Sequence, residues 1–368
     1  MNRFLSQKFR FYSFVCISLL LFVHGYNLKN TYLEPFSIVK ERLTFTTFFE
    51  YFVANGILRF RLPMLFAISG YIYAMQDYKQ YTERIQKRFK TLMVPYFIWS
   101  AVGLLITFLW QQHPVLAQVV YDAQLDQLGD NRPYTEIGWE GILKRWILRP
   151  VSFQLWFIRS LFFYNLAYPI FRWGIMNYPR LWFLLMFVLW ISMFRILFFE
   201  GQGMLFFSLG IWLYKYNYPI EKKPGWYSRY LSWLFFFGLN IIKTFMAFEF
   251  EESNRLTITV FILLHVSSVM SGVIAIWYSG DEIVKWFADK KWFLWVCSFS
   301  FIIYGLHIPL LSYVMRLAYM FGSDIPFYRL VFYITVPLAV LIFCIAVGAL
   351  FRQVWPKGYR ISTGGRGF

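Results

Sequence analysis

The sequence predicts an all-α integral membrane protein with about ten transmembrane helices and both termini in the cytoplasm. Three observations lead to this fold class. Hydrophobic residues make up 59% of the 368-residue chain and charged residues only 15%, a balance that soluble domains do not show. Apolar segments close to the roughly 20 residues that cross a bilayer recur along the whole length. Basic residues are concentrated in the short segments between the apolar ones.

The apolar segments leave little chain for an appended catalytic domain, so we expect a single transmembrane domain over residues 1–368. The second segment is long and contains Arg59, Arg61 and Pro63, which predicts a kinked or broken helix, or a re-entrant piece followed by a span. The ten predicted spans lie at about 11–28, 46–76, 92–111, 153–171, 181–198, 203–217, 230–248, 256–278, 293–317 and 327–351.

The orientation follows from the basic residues. With the N-terminus inside, most of the 36 Lys and Arg residues fall in cytoplasmic segments, including a tail at about 352–368. We therefore attribute the net charge of +17 to the basic loops that orient the chain in the membrane, and we expect no nucleic-acid partner. The three cysteines lie far apart inside apolar segments, so we expect neither a disulfide framework nor a metal site.

The longest outer loop spans residues 112–152 and ends in GWEGILKRWILRP. Its mixture of Trp, Ile and basic residues is typical of an amphipathic helix that lies at the membrane interface. Such a helix suggests a lid over the site or a platform for an acceptor.

His24 and His307 lie within apolar segments, where ionisable groups are costly and mark candidate functional sites. His24 is fourteen residues beyond Arg10, or about 21 Å along a helix, and His307 lies at a similar depth in a later span. We expect the two imidazoles to share one cavity, where a histidine can accept a proton from a hydroxyl near neutral pH. The alternative for each is a histidine that is hydrogen-bonded between packed helices.

Arg59 and Arg61 stand just before the apolar run that ends in Ser69 and Gly70. One interpretation is that they line a cavity and hold an anionic or oxyanionic group, with Glu50 as an ion-pair partner. The alternative is that they extend to the outer headgroups.

Further ionisable groups lie within or near the predicted spans. For Arg159 and Lys243 a functional role and a structural one remain equally open, and His265 has no recognisable motif, which favours packing. Arg195 and Arg316 are close to predicted helix ends and are expected to reach the interface.

The cytoplasmic run DYKQYTERIQKRFKTLMVPY is a basic amphipathic segment that leads into the third span. Attraction to anionic lipids explains such a run. A sharper interpretation is a docking surface for a phosphate-bearing cofactor, with Arg88 and Lys90 as the contacts.

Five motifs in this order resemble the acyltransferase-3 family of membrane acyltransferases. They are FVHGYN, RLPMLFAISGYIYA, KRFKTLMVPYFIW, QLWFIRSLFFYN and FSFIIYGLHIP, and together they cover almost the whole chain. The resemblance implies an enzyme of the bacterial inner membrane. It implies transfer of an acyl group, acetyl by family frequency, from cytoplasmic acyl-CoA to a hydroxyl of a periplasmic or cell-surface glycan, or of a lipid-linked saccharide.

The resemblance also assigns residues. His24 matches the essential first-span histidine, whereas Ser13 stands where the family usually has an arginine, so that Arg10 is the nearest substitute. Arg10 could reach a similar helix face from one turn lower. The family's Arg-x-x-Arg pattern reads Arg88, Phe89, Lys90, Thr91 here, and Lys90 is the residue that can compensate for the missing second arginine.

In the resulting mechanism His24 acts as general base on the acceptor hydroxyl or carries the acyl group transiently. Arg59, Arg61, Tyr304 and His307 stabilise the oxyanion or position the acceptor. Two alternatives remain open at this point: a transporter or flippase for a lipid-linked glycan, which would need no acyl-CoA, and a glycan polymerase or ligase. We find no repeat symmetry of the kind that transporters often have.

Overall fold

The computed structural model describes residues 2–26, 28, 37–130, 132–250 and 255–367. In these ranges most of the chain is helical, and the strands form one short antiparallel hairpin, β1 (Arg195–Ile196) with β2 (Phe199–Glu200). The helices are α1 (Arg3–Ser18), α2 (Leu20–His24), α3 (Phe45–Tyr51), α4 (Arg61–Ala74), α5 (Tyr81–Arg88), α6 (Val94–Gln111), α7 (Pro114–Ala123), α8 (Tyr134–Ile147), α9 (Trp156–Leu166), α10 (Tyr168–Asn177), α11 (Pro179–Ile191), α12 (Gly201–Lys215), α13 (Arg229–Glu249), α14 (Arg255–Ser279), α15 (Asp281–Ala288), α16 (Lys291–Cys297), α17 (Ser300–Gly322), α18 (Tyr328–Val354) and α19 (Pro356–Ser362).

Seven helical stretches in the described ranges are long and apolar enough to cross a bilayer. They are Arg3–His24, Phe45–Ala74, Tyr81–Gln111, Arg229–Glu249, Arg255–Ser279, Ser300–Gly322 and Tyr328–Val354. Each coincides with one of the ten predicted spans, and the other three predicted spans fall on the shorter helices α9 to α12. The chain is therefore a multi-pass, all-α membrane protein, while the count of ten and the orientation of the termini stay predictions.

The predicted interruption of the second span is present. Between α3 and α4 the chain forms a π-helical turn, Phe52–Gly56, and then a 3₁₀ turn, Ile57–Phe60. The backbone leaves helical geometry at Gly56 (φ −104°, ψ −101°), whereas Pro63 lies in the first turn of α4, where no amide donor is needed. The break therefore comes from the glycine before the arginines.

The chain divides into two compact units. Unit 1 contains Met1–Tyr81 with Phe163–Leu294, and unit 2 contains Thr82–Phe162 with Trp295–Phe368. In unit 1, α4 packs closely on α12, and α13 packs on α14. A Cβ atom at Gly70 would lie 2.1 Å from the carbonyl oxygen of Phe207, so the approach of α4 to α12 requires glycine at this position.

Unit 2 is built around α17, which packs on α6 and α18. Its helical geometry stops at Ile308 (φ −111°, ψ 132°), just before Pro309. Polar side chains of the segment that leads into α9 bond carbonyl oxygens at this break: Ser152 Oγ donates to Ile308 O at 2.8 Å, and Gln154 Nε2 donates to Tyr304 O at 3.2 Å. The break is thereby part of a hydrogen-bonded site.

The predicted outer loop, residues 112–152, contains α7 and α8, and Gly138 (φ 75°) divides α8 close to its start. The predicted helix in GWEGILKRWILRP is therefore present, while its role as a lid or platform stays a prediction. Arg145 anchors it: the buried guanidinium forms an ion pair with Asp126 and donates to the carbonyl oxygen of Asp130 at 3.0 Å. The exposed neighbour Arg132 bonds the Asp130 carboxylate and lowers its pKa to about 2.

Candidate functional site

His24 is the last residue of α2 in unit 1 and is half-buried. α2 packs against the π-helical turn Phe52–Gly56, which carries Asn55. Single π-helical turns inside α-helices occur often at functional sites, because the wider turn redirects side chains. The helix that carries the first-span histidine thus packs against an irregular part of the second span.

Asn55 holds two basic side chains from different parts of the chain. Arg59 donates to the Asn55 side-chain oxygen through Nε at 2.9 Å and Nη2 at 2.6 Å. Lys243 donates from α13 to the Asn55 carbonyl oxygen at 2.8 Å and reaches its side-chain oxygen at 3.3 Å. One amide therefore fixes the position of both cations.

Lys243 also meets an imidazole. Its Nζ lies 3.4 Å from His265 Nδ1 on α14 and 6.0 Å from the centre of the Tyr51 ring. Both Lys243 and His265 are buried. An amine and an imidazole at this distance can exchange a proton, so the pair is a second titratable group in unit 1 beside the π-helical turn.

Arg61 and Glu50 are both buried in unit 1, with 3% and 0% of their surface exposed. Arg61 lies at the start of α4, and its Nε donates to the Leu58 carbonyl oxygen at 2.5 Å. Burial argues against extension of this arginine to the headgroups. The predicted pairing of Glu50 with Arg59 or Arg61 stays a prediction.

Arg10 is exposed on α1, and Lys8 is the buried cation of this helix. Lys8 forms an ion pair with Asp281 at 2.6 Å and lies 4.1 Å from the centre of the Trp277 ring. An apolar cavity of about 160 Å³ lies beside this pair and is lined by residues of α1, α4, α12 and α14, among them Phe9 and Trp277.

His307 and Tyr304 occupy the broken part of α17 in unit 2 and are both buried. His307 Nδ1 lies 2.9 Å from Ile303 O and 3.0 Å from Tyr304 O. Carbonyl oxygens only accept hydrogen bonds, so Nδ1 carries the hydrogen and Nε2 of the neutral ring is the acceptor nitrogen. The Tyr304 hydroxyl donates to the Gln154 carbonyl oxygen at 2.5 Å.

Arg159 lies on α9 in unit 2. Its Nη1 donates to the Leu148 carbonyl oxygen at 2.6 Å and to the Tyr96 hydroxyl at 3.1 Å. The Tyr96 hydroxyl in turn donates to the Ile147 carbonyl oxygen at 2.8 Å. Arg159 therefore links the end of the outer loop to α6.

Arg88 ends α5 and is half-buried, and Lys90 is exposed in the π-helical turn Phe89–Met93 that follows. Arg84, one turn earlier, is buried. A second irregular turn thus connects the basic run to α6. In this run Arg84 is buried, and Arg88 and Lys90 are more accessible.

Comparison with known proteins identifies the family. The family model that matches is that of acyltransferase-3, described as an acyltransferase domain, and it matches residues 14–347. The chain belongs to the acyltransferase-3 family. No curated protein and no solved structure matches the chain.

In this acyltransferase-3 chain the predicted site residues divide between the two units. His24, Arg10, Glu50, Arg59 and Arg61 belong to unit 1. Unit 2 holds Arg88, Lys90, Arg159, Tyr304 and His307. The shared cavity for the two histidines therefore stays a prediction.

Two polar side chains beside the candidate site residues were not predicted. Asn55 is a polar residue in the apolar run FVANG, which is the signal that marks it. Gln154 opens the QLWFIRS motif and bonds the broken part of α17. Lys243 and His265 were noted individually, but nothing in their spacing shows that they lie together.

Proposed function

We propose that the chain transfers an acyl group, taken as acetyl, from cytoplasmic acyl-CoA to a hydroxyl of a periplasmic or cell-surface glycan. The observation that carries this proposal is the polar arrangement around the π-helical turn of unit 1. There the family's first-span histidine, His24, lies on a helix that packs against the turn that holds Arg59 and Lys243. Such groups at membrane depth are costly and are retained for function.

His24 is assigned the proton-transfer step. Its imidazole takes the proton of the acceptor hydroxyl as the oxygen attacks the thioester carbonyl, the C–S bond breaks, and the thiolate leaves and takes up that proton. A covalent variant, in which the imidazole carries the acyl group between donor and acceptor, uses the same position.

Basic side chains held by fixed hydrogen bonds suit stabilisation of the oxyanion. Arg59 is held by two bonds to Asn55 and Arg61 by a bond to Leu58 O, so neither guanidinium must reorganise when negative charge develops. We assign stabilisation of the oxyanion to Arg59 or Arg61, with Glu50 as the ion-pair partner of one of them.

Unit 2 is assigned to the acceptor and to the donor's polar end. His307 with its acceptor Nε2, Tyr304 and Arg159 are hydroxyl-binding groups of the kind that position a sugar. Arg88 and Lys90, at the start of α6, are assigned to the phosphates of acyl-CoA. Arg10 is assigned to the same donor.

We place the chain in the bacterial inner membrane with ten membrane-embedded segments and both termini in the cytoplasm. The basic start of α6 then faces the acyl-CoA pool, and the loop with α7 and α8 faces the glycan. The three shorter helical segments at α9 to α12 complete the ten.

Mass analysis of the surface glycan tests the proposal. Cells that lack the chain should lose an ester from the glycan, the wild-type chain should restore it, and His24→Gln should not. A glycan that keeps all its esters but no longer reaches the surface would overturn acyl transfer and favour transport of a lipid-linked glycan.

A further inference from the structure

The C-terminal tail of unit 2 turns back on itself after α19. The amide of Gly364 donates to Ile361 O at 3.1 Å, and that of Gly365 donates to Arg360 O at 2.7 Å. This pair of bonds, with Gly364 at φ +61°, is the Schellman motif that ends many helices. The glycines of GGRG thereby reverse the chain and direct Arg366 back toward the helices.

The reversed tail is bonded to unit 2 at several points. Trp99 Nε1 donates to Ser362 O at 2.9 Å, and the Tyr359 hydroxyl donates to Ser298 O at 3.1 Å. A Cβ atom at Gly364 would lie 2.5 Å from the carbonyl oxygen of Thr91. These contacts hold the tail in a defined position against the start of α6.

The Arg366 side chain points toward the segment before α6. Its Nη1 donates to Thr91 O at 2.8 Å and Thr363 O at 3.1 Å, and its guanidinium lies 4.8 Å from the centre of the Phe301 ring. The side chain is half-buried. Its Nε and Nη2 make no hydrogen bond to any residue that the structure describes, so two donor nitrogens of the planar guanidinium remain for a ligand.

Arg88 lies three residues, about one helical turn, before Thr91, whose carbonyl oxygen accepts from Arg366. Burial lowers the pKa of Arg366 to about 10, and the like charge of Arg88 adds to that effect. Two guanidinium groups held near each other by the fold repel, and an anion that contacts both relieves the repulsion. A phosphate group matches this arrangement because it accepts bidentate bonds from several arginines at once.

We propose that Arg366 of the C-terminal tail and Arg88 together bind a phosphate group of the acyl donor. The proposal rests on the proposed function, since it names acyl-CoA as the source of that phosphate. The tail is then part of the donor site. The turn at Gly364 and Gly365 brings the guanidinium of Arg366 to this site.

Binding of 3′,5′-adenosine diphosphate, the phosphate-bearing end of CoA, tests this directly. Titration calorimetry on the full-length chain in neutral detergent should show that Arg366→Gln raises the Kd by roughly 10- to 100-fold, the range for one charge-assisted hydrogen bond. Arg88→Gln should give a similar loss. Arg360→Gln is the matched control, because it removes an equal charge from an exposed side chain of α19 and should leave the Kd unchanged.

The outcomes separate the two proposals. If wild type binds the probe and Arg366→Gln binds it as tightly, the tail has no part in the donor site, whatever the transfer assay shows. If the variant loses binding but no acyl-CoA supports transfer, the phosphate site stands and the proposed function fails. If phosphatidylglycerol micelles displace the probe from wild type and from Arg360→Gln alike, the site binds a lipid phosphate. That result, or a failure of the probe to bind at all, overturns the assignment to the acyl donor.

Discussion

Replacing Asn55 by leucine removes a side chain that bonds both Arg59 and Lys243 beside the His24 helix. The two side chains are similar in size, so the change mainly deletes the oxygen that accepts from Arg59 at 2.9 and 2.6 Å and from Lys243 at 3.3 Å. The Asn55 carbonyl oxygen still accepts from Lys243 at 2.8 Å. The expected effect is therefore the loss of both hydrogen bonds from Arg59 and of the longer one from Lys243.

A hydrogen bond to a charged group contributes about 1.5–3 kcal/mol, and polar contacts between membrane helices average about 0.6 kcal/mol. Asn55→Leu should then lower the free energy of unfolding by about 2–4 kcal/mol. Asn240→Leu is the control, since this equally buried amide donates to Phe236 O of its own helix, at 2.7 Å, and to no other residue in the part of the chain that the structure describes. Its expected cost is about 1 kcal/mol or less.

Unfolding in mixed micelles with increasing dodecyl sulfate, followed by tryptophan fluorescence, measures both variants against wild type. Asn55→Leu should also lose transfer activity, because Arg59 is no longer held in place, while Asn240→Leu keeps it. Equal stability loss and equal activity in the two variants would refute the role given to Asn55.

Two further predictions concern packing and charge. Gly70→Ala places a methyl group 2.1 Å from the Phe207 carbonyl oxygen and should cost about 1–3 kcal/mol or more, seen as loss of the wild-type peak in size-exclusion chromatography. Gly238→Ala, in open space, should be tolerated, and a wild-type peak from both variants would contradict the close packing. The carboxyl of Asp130 should titrate near pH 2 in carbon-13 NMR and return toward its ordinary value in Arg132→Gln. Because this pKa is lowered by folding, the Asp130–Arg132 contact stabilises the loop above about pH 4 and is lost as the pH falls toward 2; a carboxyl that titrates near pH 4 in both proteins would contradict it.

Much of the fold follows from periodicity and composition. Seven predicted spans coincide with long apolar helices, because about 20 apolar residues have few alternatives to a membrane helix. The break in the second span was also predicted from its arginines and proline. Its position was not, since the conformation of Gly56 depends on packing that no local pattern encodes.

The candidate site was predictable only residue by residue. His24, Arg59 and His307 are polar groups in apolar runs, which is a local signal. The contact of Asn55 with Lys243 joins positions 188 residues apart, and such a pairing depends on how α13 packs against the π-helical turn. Arg366 was not predicted, because a basic residue in a glycine-rich tail is typical of a solvated chain end. Only the turn at Gly364 shows that its side chain contacts Thr91.

Acyl transfer in proteoliposomes tests the central claim most directly. Purified chain is supplied with acetyl-CoA labelled in the acetyl group and with a polysaccharide acceptor, and the ester formed on the acceptor is counted. Wild type and His113→Ala, which changes an exposed histidine of the outer loop, should form the ester, and His24→Ala should form none above background. Equal ester formation by His24→Ala and wild type would contradict the account.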